Sequence, residues 1–323
     1  MKTIAVTGAS GHLGNVLCRE LLREGFAVRV AVHHDLRALE GLPVERVQCN
    51  VLHPAHLDEL LKGADLLCHL AAVVSVDDGR NKTLAQTNIQ GTDHAIEACL
   101  KAGIPLYYFS SVHAHESPGS NGVMNEQSPY HAVGGSAYDR SKSIAEQRVI
   151  TARHQGLRTT VFNPTAVIGP FDFKPGYTGQ LVQRLLQRRI PMLTPGGFDW
   201  LDVRDVARAA VLAIRNDVLN DKFMLSGEWC SLADLAVVVA READIRPTQR
   251  VAPFWLAHVG LPFVQNWNRL RNEPLLYTRN ALRTIQSSCR NVDSSRARDI
   301  LNWQPRPLPE TVRDTVEWFQ GGD

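Results

Sequence analysis

Short apolar runs alternate with amphipathic segments over the first half of the chain. The runs are rich in aliphatic residues and have the length of buried parallel strands: 4–6, 26–32, 44–48, 66–72, 105–109 and 157–162. Segments such as 16–22 and 138–154 show helical periodicity between them. Strands that alternate with helices predict an α/β fold with a doubly wound parallel sheet.

The regular alternation fades after Pro170. Helical patterns follow at 178–189 and 231–243, the second with a Ser231 cap, and a further strand is predicted at 222–225. We expect Trp200 to Ile214 to return to the region of the main sheet. The rest of this half predicts a smaller, mostly helical region.

A glycine-rich turn, Thr7–Gly14 (TGASGHLG), connects the first strand to the first helix. Gly8 allows a sharp turn, Gly11 allows a close backbone approach, and Gly14 allows the helix to pack tightly on the strand. The helix N-terminus offers free N–H groups to phosphates. This context predicts a dinucleotide site. The residues expected to bind the dinucleotide here are Gly8, Ser10, Gly11, His12, Leu13 and Gly14.

These elements predict a dinucleotide-binding Rossmann domain over 1–170, rejoined by 200–226. A substrate-binding region is expected over 171–199 and 227–323. The 323 residues carry a net charge of only +2, from 35 basic and 33 acidic residues, which gives no sign of a nucleic-acid partner. Six cysteines occur without a C-x-x-C motif, and neither a leader peptide nor a membrane span is predicted. We therefore expect a reduced, cytoplasmic protein.

The end of the second strand bears on the choice of cofactor. An acidic residue at this position would bind the ribose hydroxyls of NAD, but the chain has Val32 there, followed by His33, His34, Asp35 and Arg37. His33 and Arg37 could bind a 2′-phosphate, which favours NADP. Asp35 could still reach the ribose, so NAD stays open.

Tyr138 and Lys142 lie four residues apart and share one face of a predicted helix. An ammonium beside a phenol favours the phenolate, so we expect Lys142 to lower the pKa of Tyr138. A tyrosine perturbed in this way can act as an acid and a base near neutral pH. Ser110 and Ser111 end the fifth strand, where the fold would place them beside the start of this helix.

Several motifs together resemble the extended short-chain dehydrogenase/reductase family. They cover nearly the whole chain: TGASGHLG, HLAA at 69–72, N-x-x-G-T at 88–92, YYFSSV at 107–112, the Tyr138–Lys142 pair, and VDSSRARDILNWQP near the C-terminus. The segments V-R-x-x-V, FSSV and GPFDFKPG are most similar to dihydroflavonol-reductase-like and 3β-hydroxysteroid-dehydrogenase-like members.

The resemblance implies a set of site residues. Ser111 would bind the substrate carbonyl, Tyr138 would deliver the proton, Lys142 would bind the nicotinamide ribose, and Asn88 would support Lys142. Pro164 would orient the nicotinamide. The remaining cofactor contacts implied are Asn50 and Val51 at the adenine, where the family usually has Asp, and the small-residue loop Leu70, Ala71 and Ala72. The resemblance also implies a homodimer through the helices 81–101 and 138–154.

These expectations support an NADP-dependent carbonyl reductase or alcohol dehydrogenase. A sugar-nucleotide epimerase or dehydratase with tightly held NAD is the alternative, and a non-catalytic dinucleotide sensor is disfavoured by the intact Tyr138, Lys142 and Ser111. The apolar stretch 253–271 fits a hydrophobic substrate or domain packing equally. No metal site is predicted. His113, His115 and His131 belong to a long polar loop over 113–136, which is typical of a lid. Substrate contact or plain placement in the loop explains these histidines better than metal binding.

Overall fold

The computed structural model describes residues 1–33, 35–74, 82–119, 121–131, 134–261 and 278–321. The strands of this part of the chain are β1 (Thr3–Thr7), β2 (Ala27–Val32), β3 (Glu45–Gln48), β4 (Leu66–His69), β5 (Leu106–Phe109), β6 (Val123–Met124), β7 (Thr159–Pro164), β8 (Ala166–Ile168), β9 (Gly197–Asp202), β10 (Asp221–Leu225), β11 (Glu228–Ser231) and β12 (Asn291–Val292).

The helices described are α1 (His12–Arg23), α2 (Pro54–Leu60), α3 (Lys82–Ala85), α4 (Gly91–Ala102), α5 (Ala137–Thr151), α6 (Tyr177–Leu186), α7 (Val203–Arg215), α8 (Leu232–Glu242), α9 (254–261), α10 (Arg279–Ser287), α11 (Ser295–Leu301) and α12 (Leu308–Phe319). The predicted helix over 231–243 is confirmed as α8, and the Ser231 side chain caps it by accepting from the Asp234 amide. Within these described helices, none is long and apolar enough to cross a membrane.

Parallel strands form the main sheet in the order β10-β7-β5-β4-β1-β2-β3, seven of them within the described residues. Each neighbouring pair is parallel, for example Val6 of β1 opposite Val30 of β2 and Cys68 of β4. The carboxyl ends of these strands therefore meet at one edge of the sheet. The order matches the doubly wound dinucleotide-binding arrangement, and the predicted α/β class is confirmed.

Apolar side chains on both faces of the sheet hold the helices in place. Leu17 of α1 and Val206 of α7 are buried in the core on one face, and Cys99 of α4 and Val149 of α5 are buried on the other. Trp303, just after α11, is fully buried against the first of these layers and donates from its indole N–H to the Asp205 carbonyl at 2.8 Å. Burial on both faces explains why the inner strands β1, β4 and β5 are mostly apolar.

A separate small sheet forms from β8, β9 and β11. The predicted return of 200–214 to the region of the main sheet starts later than Trp200, since Trp200 lies in β9, between Ala166 of β8 and Glu228 of β11. The return begins with α7, which packs on the first core layer, and is completed by β10. The proposed division into two domains stays a prediction.

The apolar stretch 253–271 is described only in part. Residues 254–261 are helical, and 262–271 lie outside the described residues, as do His34, Asn81 and positions 120, 132 and 133 of the polar loop. Trp255 of α9 exposes 67% of its surface, whereas Phe254 is half-buried against the core formed by α6, α8 and the small sheet. Packing therefore accounts for part of this stretch.

Candidate functional site

The glycine turn after β1 closes around its own backbone. Gly8 has φ +70°, and a Cβ there would lie 2.8 Å from the Ala71 amide nitrogen. A Cβ at Gly14 would lie 2.1 Å from the Gly8 carbonyl oxygen. These positions exclude side chains, so α1 starts directly against the turn and close to the exit of β4.

The N-terminus of α1 has the features of an anion site. Gly11 is its N-cap residue, no side chain caps it, and its first turn contains no acidic residue. The free amides and the positive end of the helix dipole therefore remain available to a ligand. This arrangement fits the pyrophosphate of a dinucleotide. Ser10, His12 and Leu13 are half-buried beside these amides, and Gly11 is exposed.

Two side chains that the sequence reasoning missed build this turn. The Thr7 hydroxyl accepts from the amides of Leu70 and Ala71 at 3.2 and 3.3 Å, which fixes the β4 exit against the glycines. Asn15 donates to the carbonyl oxygens of Gly11 and Phe171 at 3.0 and 3.1 Å. Both residues are buried polar groups within apolar runs, and that is the signal that could have found them.

His12 connects the turn to the loop that follows β8. Its Nε2 lies 2.9 Å from the Pro170 carbonyl oxygen, and its Nδ1 lies 3.9 Å from Asp172 Oδ2. The loop containing GPFDFKPG thus lies across the start of α1. The structure places a sequence-predicted cofactor residue at the boundary between the glycine turn and the C-terminal half.

At the end of β2, Arg37 pairs with Asp35. The guanidinium Nε and a terminal nitrogen lie 3.0 and 2.7 Å from the two carboxylate oxygens. Hydrogen bonds from Arg37 lower the pKa of Asp35 to about 2, and the charge of Lys174 acts in the same direction. His33 is exposed beside them. The charges of Arg37 and Lys174 therefore both act on the Asp35 carboxylate. The adenosine ribose of a bound dinucleotide would lie near this carboxylate.

The other expected cofactor contacts line the same edge of the sheet. Asn50 follows β3 and accepts from the Leu52 amide at 3.0 Å, and Val51 is buried against Gly91. Ala71 and Ala72 are half-buried after β4. Pro164 ends β7 opposite Leu225. Their contact with a cofactor stays a prediction.

Ser111 and Tyr138 meet at the carboxyl end of β5. Ser111 is 8% exposed and caps a short 3₁₀ turn by accepting from the His113 amide at 3.2 Å. Ser136 starts α5 through a reciprocal cap with Asp139, which places Tyr138 in the first turn of the helix. The Ser111 hydroxyl lies close enough to the Tyr138 phenol to lower the pKa of that phenol. The two hydroxyls can therefore bind one carbonyl oxygen together.

The expected lowering of the Tyr138 pKa is wrong for this arrangement. Loss of hydration at the half-buried phenol raises the pKa of Tyr138, the charge of Asp139 raises it further, and the nearby Ser111 hydroxyl lowers it by less. Lys142 does not reverse this shift, since its ammonium donates to the Phe109 carbonyl at 2.9 Å. Tyr138 is therefore protonated at neutral pH and ready to donate a proton.

Lys142 is buried beneath the site, at the same strand edge. Its Nζ lies 5.3 Å from the centre of the Tyr108 ring. Burial lowers the pKa of Lys142 to about 8, although the charge of Glu146 opposes this shift. The positive charge of Lys142 acts on His69. Burial and this positive charge together lower the pKa of His69 to about 3. His69 Nδ1 lies 2.9 Å from the Thr7 hydroxyl, so the lysine and the glycine turn are joined through one histidine.

Asn88 lies in an irregular part of the helix predicted over 81–101. A π-helical turn, Gln86–Gln90, separates α3 from α4 and carries the fully buried Asn88. Its amide accepts from the Val73 N–H at 2.7 Å and donates to the Ser141 hydroxyl at 3.0 Å. Asn88 thus ties the β4 exit to the residue beside Lys142. Single π-turns are frequent at functional sites.

The three histidines of the polar loop have different surroundings. His113 packs edge-on against Tyr138, with ring centres 5.8 Å apart, and its Nδ1 lies 3.0 Å from Asp139. His115 is buried against Glu146, and His131 is half-buried with its carbonyl near Ser143. Of the three, His113 is the one that contacts Tyr138. Over the described ranges, no three His, Cys, Asp or Glu side chains form a metal site.

The glycine-rich turn and a Ser–Tyr–Lys site, formed by Ser111, Tyr138 and Lys142, thus lie at one edge of the parallel sheet. The model of the NAD dependent epimerase/dehydratase family matches residues 4–225. The chain belongs to this family of extended short-chain dehydrogenases/reductases, and the resemblance found in its motifs is confirmed.

Individual relatives extend the comparison to the whole chain. The chain is 30% identical to sterol demethylase protein B of Methylococcus capsulatus, over 98% of each protein. It is also 30% identical to a putative dihydroflavonol 4-reductase of Synechocystis, over 98% of this chain and 94% of the relative. The crystal structure of gox2253 has a TM-score of 0.84 at 28% identity, covering 100% of this chain and 99% of that one.

Proposed function

We propose that the protein reduces a ketone or aldehyde with NADPH, or oxidises the corresponding alcohol. The observation that carries this proposal is that the Ser111 and Tyr138 hydroxyls lie close together at the carboxyl edge of the sheet, with Tyr138 held in its protonated form. A carbonyl oxygen bound by both hydroxyls would receive two hydrogen bonds as negative charge develops on it. A protonated phenol at that oxygen is the proton donor that a reduction requires.

Each residue has one task in the proposed reaction. When bound, the dinucleotide supplies a hydride to the carbonyl carbon. Ser111 and Tyr138 bind the carbonyl oxygen, Tyr138 passes its proton to that oxygen, and the phenolate regains a proton from solvent. Lys142 binds the nicotinamide ribose and its positive charge favours the phenolate once that proton has left. Asn88 keeps the neighbouring Ser141 in place.

The preference for NADP is part of the proposal. Two cations, Arg37 and Lys174, act on Asp35 at the end of β2, and the Glu40 carboxylate also acts on Arg37. A 2′-phosphate could replace the carboxylate as the partner of Arg37, since guanidinium groups bind phosphate in a bidentate way. We also propose a hydrophobic substrate, in keeping with the reductase and sterol-related names among the relatives, and a cytoplasmic location.

Transfer of a labelled hydride tests the reaction. The protein is incubated with NADPH deuterated at the reactive carbon and with a panel of apolar ketones, and the products are analysed by mass spectrometry. The proposal predicts an alcohol with one deuterium on the carbinol carbon, together with an equal amount of NADP⁺. If the protein binds NADPH but forms no labelled alcohol from any ketone or aldehyde, the proposed reaction is wrong.

An epimerase or dehydratase that keeps its NAD is the second candidate. Asp35 favours it, because a carboxylate near the end of β2 can bind the ribose hydroxyls of NAD. An enzyme of this kind would leave purification with NAD still bound after dialysis. A reductase would exchange its cofactor freely, so ultraviolet absorbance and mass analysis of the dialysed protein separate the two candidates.

A further inference from the structure

A buried cluster of polar and charged side chains lies directly below the Ser–Tyr–Lys site. At its centre is Glu146 of α5, which is fully buried one helical turn after Lys142. Glu146 Oε1 lies 3.2 Å from His115 Nε2 and 3.0 Å from Lys222 Nζ. It also accepts from the Tyr130 hydroxyl at 3.0 Å. The second oxygen, Oε2, accepts from the Asn163 side chain at 2.6 Å.

These partners come from elements that are far apart in the sequence. Asn163 belongs to β7 and Lys222 to the neighbouring strand β10. His115 and Tyr130 belong to opposite ends of the polar loop, where they form an isolated bridge and stack with ring centres 4.6 Å apart. One carboxylate therefore holds the catalytic helix, two strand ends and both ends of the loop together.

The side-chain amide of Asn163 connects this cluster to Ser111. Besides bonding Glu146, the Asn163 side chain donates to the Ser111 carbonyl at 3.0 Å. Ser111 follows β5 and Tyr138 lies on α5, and their hydroxyls must meet at one carbonyl oxygen. The chain of contacts from Glu146 through Asn163 to Ser111 fixes the distance between those elements.

The negative charge of Glu146 also acts on Lys142. Burial alone would raise the pKa of Glu146, but the His115 hydrogen bond and the charge of Lys222 lower it to about 2, so the carboxylate is ionised. Its negative charge raises the pKa of Lys142 against the effect of burial. The other groups facing Lys142 are His69 of β4 and the Tyr108 ring of β5. Arg153, after α5, is the further cation whose pKa responds to Glu146.

We propose that Glu146 is a positioning residue for the reaction, which fixes Ser111 against α5 and keeps the ammonium of Lys142 charged. The catalytic part of this inference rests on the proposed function, but the electrostatic part does not. A carboxylate that served only the stability of the fold would leave the protonation of Lys142 unchanged when its charge was removed or its counterion deleted.

Titration of Lys142 in the protein without cofactor tests the electrostatic part. The lysine side chains are labelled with ¹³C, the Lys142 signal is assigned with Lys142→Met, and its chemical shift is followed with pH. In Glu146→Gln the midpoint should fall by about one unit from its wild-type value. In Lys222→Gln, which leaves the carboxylate in place and removes its counterion, the midpoint should rise. Unchanged midpoints in both variants would overturn the inference.

Two further variants are controls for the titration of Lys142. Asp93→Asn is the matched control, because Asp93 of α4 also pairs with a cation of α5, Arg148, but on the solvent side. It should leave the midpoint unchanged. Glu146→Asp keeps the charge and should retain the wild-type midpoint. If Glu146→Gln does not fold, an unchanged midpoint in Lys222→Gln, a substitution on the edge strand β10, would still overturn the inference.

Activity provides the second readout. If the midpoint falls from about 8 to about 7, the protonated fraction of Lys142 at pH 8 decreases about fivefold. The kcat of Glu146→Gln should then fall at least that much, and its NADPH affinity should change little. Carbonyl reduction absent from the wild type would refute the proposed function alone. A shifted midpoint with an unchanged kcat would refute the catalytic part of the inference.

Discussion

Two glycines of the same turn should respond differently to one added methyl group. A Cβ at Gly14 would lie 2.1 Å from the Gly8 carbonyl oxygen and 2.8 Å from the Ala9 Cα, whereas a Cβ at Gly11 would lie 3.2 Å from that carbonyl. Gly11 also has φ −76°, which alanine adopts without strain. Gly14 is therefore needed for packing, and Gly11 for the approach of a ligand.

The magnitudes follow from these distances. In Gly14→Ala, α1 must move away from the turn, and because both contacts are with backbone we expect about 3 kcal/mol, the upper end of the usual cost of overpacking. The melting temperature should fall by about 5 °C or more. Gly11→Ala should lose at most about 1 kcal/mol of stability, as for other N-cap exchanges. Its NADPH affinity should fall at least about tenfold, or 1.4 kcal/mol.

Urea unfolding and a fluorescence titration with NADPH measure the two effects. Gly176→Ala is the matched control, because Gly176 is also an uncapped N-cap residue with φ −74°, and nothing lies within 4 Å of its added Cβ. It should leave stability and NADPH affinity unchanged. Wild-type NADPH affinity in Gly11→Ala would refute the assignment of this turn to the dinucleotide phosphates.

Three further results are expected. Arg37→Ala should lose about tenfold or more in NADPH affinity while its NADH affinity changes little, since it removes a charged hydrogen bond to the 2′-phosphate; equal losses for both nucleotides in a fluorescence titration would refute the preference for NADP. Trp303→Ala should lower the free energy of unfolding by about 3–5 kcal/mol, because it empties a fully buried site; a loss below 1 kcal/mol in urea unfolding would contradict this packing. We also propose a homodimer through α4 and α5, so light scattering should give twice 35.8 kDa, and Ile144→Asp, at a partly exposed position of α5, should give the monomer; a monomeric wild type would refute the dimer.

The sequence predicted the parts of the fold that repeat a simple pattern. Buried strands such as Ile4–Val6 and the glycine turn after them have a strong local signal, because each residue type is required by its own backbone geometry. The location of β9 was not predictable in this way. Its residues Phe198 and Trp200 are as apolar as a main-sheet strand, and only their pairing with β8 and β11 places them elsewhere.

The same limit applies to the site. The motifs identified Ser111 and Tyr138, which the structure brings together, but the four-residue spacing of Tyr138 and Lys142 led to the wrong pKa shift. Spacing along a helix fixes a shared face and not the direction of a long side chain, and Lys142 donates to the Phe109 carbonyl. Glu146 was missed because its partners come from β7, β10 and the polar loop, so no local pattern marks it.

In the proposed reaction, a protonated Tyr138 delivers the proton while a bound dinucleotide would supply the hydride. Tyr138→Phe removes only the hydroxyl, and single-turnover oxidation of NADPH by this variant with a reducible ketone is the most direct measurement. A general acid typically contributes about 10²–10⁴-fold, so the rate should fall at least a hundredfold while NADPH affinity stays within about twofold of the wild type. A single-turnover rate within tenfold of the wild type would show that Tyr138 is not the proton donor.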